Sequence, residues 1–325
     1  MRILARHDVE HALSMVQAIE AVKAAFTQLS TGRADVPVRI AIDVPRHDGV
    51  SLFMPAYLLD DDALAVKIAS VFHKNPNKGL PLIHALVVVV DAETGAPEAL
   101  MDGTYLTALR TGAASGAATD LLAREDVRVT AVIGAGTQGR TQLEAVCAVR
   151  PIQEAWVYDV QPDKAQEWAT EMSTRLELPV RPAATPAQAV SRADVICTAT
   201  TASAPVFDDA DVQPGTHINA VGAYTPEMQE IPPETVLRSL VVIDHYESAL
   251  AEAGDLLIPM ERGLITQDHI HAELGAILSG ASPGRESEEQ ITLFKSVGVA
   301  VQDVSVARAV LDAARTMGLG TRFTL

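Results

Sequence analysis

Residues 131–140 read AVIGAGTQGR: three apolar residues, the turn Gly134-Ala135-Gly136-Thr137-Gln138-Gly139, and a basic residue. A G-x-G-x-x-G run that follows a strand and opens a helix is built to bring backbone against a pyrophosphate. Gly134 makes the tight turn, Gly136 leaves room for phosphate, and Gly139 lets helix and strand pack closely. The helix N-terminus, with Thr137 and Gln138 beside it, attracts the negative charge. The next strand ends in VYDV and places Asp159 20 residues after Gly139. There a carboxylate accepts hydrogen bonds from an adenosine ribose and repels a 2′-phosphate, so NAD is expected as cofactor, NADH before NADPH.

Working outward, the chain from 127 onward alternates strand-like and helical segments. RVTAVIG, EAWVYDV, PVRPA, DVICTAT, HINAVGA and SLVVID are the strands, which implies a doubly wound parallel sheet. Towards the N-terminus the texture differs. Residues 12–29 place apolar side chains at helical spacing behind Ser14 as cap, and 36–102 fall into short β-rich segments of antiparallel type, with DAETG as a hairpin connection. The Ala-rich stretch 104–124 reads as a linking helix, and DVSVARAVLDAARTMGL as a closing helix able to return to the first domain. The expected fold is α/β: a Rossmann doubly wound parallel-sheet domain over 121–304, and a mixed α+β domain with an antiparallel sheet over 1–120 and 305–325.

At 325 residues, with 48% apolar and 21% charged residues, the chain has the composition of a globular protein above the size where single cores divide. A net charge of −17, with no block of Lys and Arg against it, disfavours nucleic acid and anionic membrane surfaces. Cys147 and Cys197 sit in apolar contexts, which excludes a disulfide framework and a multi-cysteine metal site. The scattered N-terminal charges and the brevity of the longest apolar run, ALVVVV at 85–90, give the expectation of an unexported, cytoplasmic protein without a membrane span.

An anionic ligand must be captured against that global field by locally placed cations. Three stand inside apolar segments: Arg39 in VPVRIAI, Lys67 in LAVKIAS and Arg110 in LTALRTGAA. A buried cation needs a carboxylate partner, from the protein or from a substrate. Each alone could be a snorkelling or salt-bridged residue; together they suggest an anion site.

The blocks MPAY, NPNKGLP, YLTALRTGAASG, VIGAGTQGR, INAVGA..PEMQEI and VGVAVQDV, in this order, resemble the ornithine cyclodeaminase/mu-crystallin family from about residue 36 to 310. The resemblance implies a substrate-binding and dimerisation domain completed by the C-terminal helix, a homodimer, and bound NAD(P) used to make or reduce an imine at the α-carbon of an amino acid. It places Arg39, Lys67 and Arg110 at the substrate carboxylate, with Lys67 also a proton-transfer residue. Asp303 comes near nicotinamide and substrate, where it orients water or Lys67; the alternative is a capping Asp before a helix. Arg110, Thr111, Thr200, Val221 and Gly222 join the cofactor residues, and Met54, Tyr224 and the 72–79 loop line the specificity pocket.

Two departures bear on the reaction. Where cyclodeaminases and the archaeal alanine dehydrogenase branch carry an Asp that in the cyclodeaminase engages the distal amine, this loop reads VGAYTPEMQEI and offers Tyr224, with Glu227 the nearest carboxylate. Leu82 replaces a Thr that touches the nicotinamide amide in relatives. His73, Lys74 and Lys78 either meet a second substrate carboxylate or form a solvated loop. His269 and His271, read as lying two apart on a helix, face different ways and make no metal pair. The cysteines read as buried thiols.

The function expected is therefore an NAD-dependent oxidoreductase that interconverts a small-molecule α-imino acid and an L-amino acid by hydride transfer, as an imine reductase or amino-acid dehydrogenase. One alternative is a redox-neutral ornithine or lysine cyclodeaminase with bound NAD. Another, from a different class, is a non-catalytic, dinucleotide-regulated, crystallin-like binding protein.

Overall fold

The computed structural model describes residues 1–324, with Pro76 described by its backbone alone. Two compact units divide the chain: Met1–Arg110 with the segment from Val299 onward, and Thr111–Gly298. Both breaks fall earlier in the chain than the bounds expected from sequence, the first inside the helix Gly103–Leu122. The physical reason lies at Gly112, where an added Cβ would come within 2.5 Å of the Thr141 carbonyl oxygen. Gln142 Nε2 also donates to the Thr111 carbonyl, so from Thr111 onward the linking helix meets the helix Thr137–Val149 and belongs to the second unit.

In the second unit eight parallel strands run in the order Val180–Pro182, Glu154–Tyr158, Val129–Ile133, Val195–Thr198, His217–Ala220, Ile291–Lys295, Ser239–Ile243, Ile270–Glu273. Side chains alternate between two cores, Ala131 and Ile133 in one and Val132 in the other, because a strand presents successive residues to opposite faces. The strand order reverses between Val129–Ile133 and Val195–Thr198. In such sheets the crevice outside the carboxyl ends at that reversal is where ligands bind.

One sequence expectation is corrected here. His271 lies on the strand Ile270–Glu273 and His269 ends the short 3-10 turn before it. Ile270 and Ala272 are the buried residues, a period of two that fits a strand and not a helix. The His269 imidazole meets the Val236 carbonyl and the His271 imidazole that of Pro283.

The first unit is built on an antiparallel meander, Gly49–Leu58, Ala63–Phe72, Ile83–Asp91 and Pro97–Asp102, with Ile40–Val44 and Ala34–Asp35 paired to its first strand. Arg2–Leu4 adds in parallel at the other end. Between Ile83–Asp91 and Pro97–Asp102 the chain turns at Gly95, whose φ of 73° lies in the left-handed region open to glycine. The helices Met15–Ser30 and Ala300–Met317 pack together, and the latter lies on Gly49–Leu58 and Ala63–Phe72. Ser14 caps the former, its hydroxyl accepting the Gln17 amide. Along Ala63–Phe72 odd-numbered residues are buried and even-numbered ones half-buried, so one sheet face carries the helices. No helix among the described residues is long and apolar enough to cross a membrane.

Candidate functional site

Lys67 occupies an odd register of the strand Ala63–Phe72, and so projects to the helix-covered face. Met54 stands directly opposite it on Gly49–Leu58, also buried. Above them Asp303 lies in the first turn of Ala300–Met317, fully buried and not a solvent-side cap ahead of the helix. Its Oδ2 is 2.7 Å from Lys67 Nζ, and its Oδ1 is 3.0 Å from Arg110 Nε. Lys67 is 2% exposed and Arg110 6%. Arg39 sits one residue ahead of the strand Ile40–Val44, half-buried, and its charge reaches Lys67.

Burial pushes the Lys67 ammonium down, the Arg110 charge adds to that and Asp303 offsets part, leaving a pKa of about 8. A lysine in this state exchanges its proton near neutral pH, which a solvated lysine does not. Desolvating these ions is costly, and removing one partner leaves an uncompensated charge. Two cations paired with one carboxylate, with the Arg39 charge reaching Lys67, leave an excess of positive charge suited to a further anion. Sequence reasoning missed Gln302, fully buried, whose Oε1 accepts from Arg110 Nη1.

In the second unit Gly134 follows the strand Val129–Ile133 with a φ of 107° and donates its N–H to Tyr158 O. A Cβ there would lie 2.7 Å from Ala199 O. Gly139 is closed off by the Gly134 carbonyl and Val132, as close helix–strand packing requires, whereas a Cβ on Gly136 would meet nothing within 4 Å. Gly136 is the N-cap of Thr137–Val149 and offers no side chain to the first helical amides, so those donors are available to an anion. Gly134, Gly136, Asp159 and Thr200 line one cleft of about 580 Å³ with the apolar Val160, Pro205 and Val206.

Asp159 accepts from the amides of Ala135 (2.9 Å) and Gln161 (3.0 Å), and pairs with Lys164 at 3.1 Å. Burial raises its pKa, but these donors outweigh burial and hold the carboxyl below its usual range. The residues present therefore fit a dinucleotide: a bare helix N-terminus, space where a Cβ could stand, and a fixed carboxylate.

Thr200 and Gly222 are tied together by Glu230, which the sequence reading left without a role, while the Val221 amide donates to the Thr198 carbonyl. This buried carboxylate accepts from Thr198 Oγ1 (2.9 Å), Thr200 N (2.6 Å), Gly222 N (2.8 Å) and Ala223 N (3.1 Å). Asp255 receives the Glu230 and Ile231 amides, and Lys295 Nζ pairs with Asp255 at 2.8 Å. The signal for Lys295 was present in ITLFKSV, a lysine inside an apolar strand like Lys67 in LAVKIAS. Thr111 is buried, and its carbonyl accepts from Gln142 Nε2. Tyr224 is 37% exposed, and burial of its ring raises the phenol pKa. Glu227, His73, Lys74 and Lys78 are exposed. Burial pushes both cysteine thiols up to about 12, so neither is a thiolate near neutral pH.

A parallel sheet with a glycine-opened helix, joined in one chain to a mixed, mostly antiparallel unit that buries a lysine, an arginine and an aspartate, defines a dinucleotide-binding enzyme class. The sequence profile of the ornithine cyclodeaminase/mu-crystallin family matches residues 1–318, and the chain belongs to that family. It is similar to a Δ1-pyrroline-2-carboxylate reductase of Bacillus cereus, 38% identical over 323 residues and 99% of each chain. Among solved structures it resembles Thermococcus litoralis Δ1-pyrroline-2-carboxylate reductase in complex with NADH and L-proline: 46% identity, 99% of this chain and 100% of that one, TM-score 0.96. It also resembles an archaeal alanine dehydrogenase dimer with bound NAD: 37% identity, 100% of this chain and 99% of that one, TM-score 0.93.

Proposed function

We propose that this chain reduces the C=N bond of a cyclic α-imino acid of the Δ1-pyrroline-2-carboxylate type to the L-amino acid, with NADH preferred over NADPH. At the broader level it is an NAD-dependent oxidoreductase of the imino acid/amino acid pair. The observation that carries the reading is Lys67, buried 2.7 Å from Asp303 with a pKa of about 8. Arg110 and Arg39 hold the substrate carboxylate. The Lys67 ammonium gives its proton to the imine nitrogen, and Asp303 stabilises the cationic centre that results. NADH, when bound, supplies the hydride that the α-carbon then accepts. The neutral Lys67 amine regains a proton from solvent.

Met54 opposite Lys67 presents an apolar surface, suited to a ring methylene rather than a second charge. With Tyr224 in place of a loop carboxylate and Glu227 exposed, the distal amine of ornithine has no anchor there, which disfavours cyclodeamination. Gly134, Gly136, Gly139, Asp159 and Thr200, with Thr137 and Gln138 at the helix start and Thr111, Val221 and Gly222 behind, form the cofactor set. The Asp159 carboxylate repels a 2′-phosphate. The similarity to two Δ1-pyrroline-2-carboxylate reductases supports the cyclic substrate, and the alanine dehydrogenase dimer supports a homodimer here.

The test is loss of NADH absorbance with a panel of imino acids: pyrroline and piperideine carboxylates, and pyruvate or oxaloacetate with ammonia. The pyrroline carboxylate should turn over fastest, and NADPH should support it less well than NADH. Silence across the panel, with ammonia released from ornithine, would establish a cyclodeaminase instead.

A further inference from the structure

We infer that Gln302 is a further donor to the substrate carboxylate, acting directly and not only as a brace for Arg110. The inference rests on the carboxylate-site reading. Gln302 is fully buried in the first turn of Ala300–Met317, one residue before Asp303. Its amide orientation is set by chemistry: Arg110 Nη1 is only a donor, so the atom facing it must be the amide oxygen. The other atom, Nε2, is therefore a donor, and it has no hydrogen-bond partner among the described residues.

A buried, unpartnered N–H group is costly, and Lys67, Arg110 and Arg39 nearby cannot satisfy it because they too only donate. Asp303 is already ion-paired with Lys67 and Arg110. What the group lacks is an acceptor from outside the protein, and a carboxylate beside Arg110 supplies one. Its amide would then contribute a charge-assisted hydrogen bond without adding charge.

The decisive variants are Gln302→Glu and Gln302→Met, tested by calorimetry with pyrrole-2-carboxylate, a planar carboxylate that cannot accept hydride, and by imine-reduction kinetics. Glutamate keeps an oxygen for Arg110 but replaces the Nε2 donor with a second anionic oxygen; methionine removes both. If Nε2 meets the carboxylate, affinity falls in the order Gln, Met, Glu. The glutamate variant then loses roughly 10- to 100-fold in Kd and in KM for the imine, while KM for NADH and the Tm stay near wild type. If Gln302 only braces Arg110, glutamate binds the probe like wild type and methionine alone is impaired, and the inference fails. Should glutamate unfold the protein, a double-mutant cycle decides: Gln302→Met made in an Arg110→Met background should still weaken probe binding roughly tenfold or more if Nε2 meets the carboxylate, whereas no further loss in that background, or wild-type affinity in Gln302→Met alone, overturns the inference. Wild-type protein that neither binds the probe nor reduces any imine defeats the functional reading itself, an outcome visible before any variant is made.

Discussion

Lys67 owes its chemistry to its surroundings. The same side chain on a solvated strand would titrate far above neutrality; here burial first, then Arg110, brings it to about 8 against the pull of Asp303. Below that pH it is an ammonium able to protonate an imine, and above it a neutral amine able to accept a proton. Imine reduction, measured as kcat/KM, should therefore fall as pH rises through about 8, and oxidation of the amino acid should rise across the same window. Lys67→Met should erase that limb and lower kcat/KM by roughly a hundredfold or more; a limb that survives the substitution would remove Lys67 from proton transfer. At this scale the sequence was informative where a charge interrupted an apolar run, as in LAVKIAS. The cue does not say which interrupted run holds a substrate: Lys295, in ITLFKSV, closes an internal network with Asp255 instead.

The helix Thr137–Val149 and its glycine turn separate folding from binding at two neighbouring positions. Gly139 packs against the Gly134 carbonyl, whereas Gly136 faces open space in an extended conformation that alanine also adopts. Gly136→Ala should leave the Tm unchanged and weaken NADH binding, by about tenfold or more, because its methyl group would occupy the space proposed above for the pyrophosphate. Gly139→Ala should lower the Tm by several degrees through overpacking of about 1–3 kcal/mol. Thermal melts and NADH fluorescence titration read both. Wild-type NADH affinity in Gly136→Ala would show that the cofactor does not pass over this turn. This element was legible from spacing alone, since G-x-G-x-x-G behind an apolar strand is local. Glu230 was not, because its four partners lie at the end of the strand Val195–Thr198 and on the loops after it and after His217–Ala220, which only the folded sheet brings together.

At the scale of the whole molecule, the first unit carries, opposite its helices, a sheet face whose apolar side chains are exposed or half-buried among the described residues. Ile40, Phe53, Ile68 and Leu86 are successive cross-strand neighbours on it, and Ile40 (59%), Ile42 (52%) and Leu86 (37%) are exposed. Ile40–Val44 is moreover an edge strand with one paired side. Such a contiguous apolar face marks an interface, and a second copy of the chain is the partner proposed. Sedimentation should show a dimer, and Ile40→Lys combined with Leu86→Lys should shift it to monomer. A wild-type chain that sediments as a monomer at micromolar concentration would exclude the homodimer.

The sequence by itself determined the two architectures, the dinucleotide turn, the acidic residue after the second strand and the three cations worth following. All of these are encoded in local periodicity or in short spacings that backbone geometry reads directly. Only the tertiary structure decided that Lys67, Arg110 and Asp303, separated by long stretches of chain, converge within hydrogen-bonding distance, that Gln302 stands with them, and that His271 lies on a strand. Those facts depend on which sheet face the closing helix covers and on which side chains lose water together, and no local pattern encodes either.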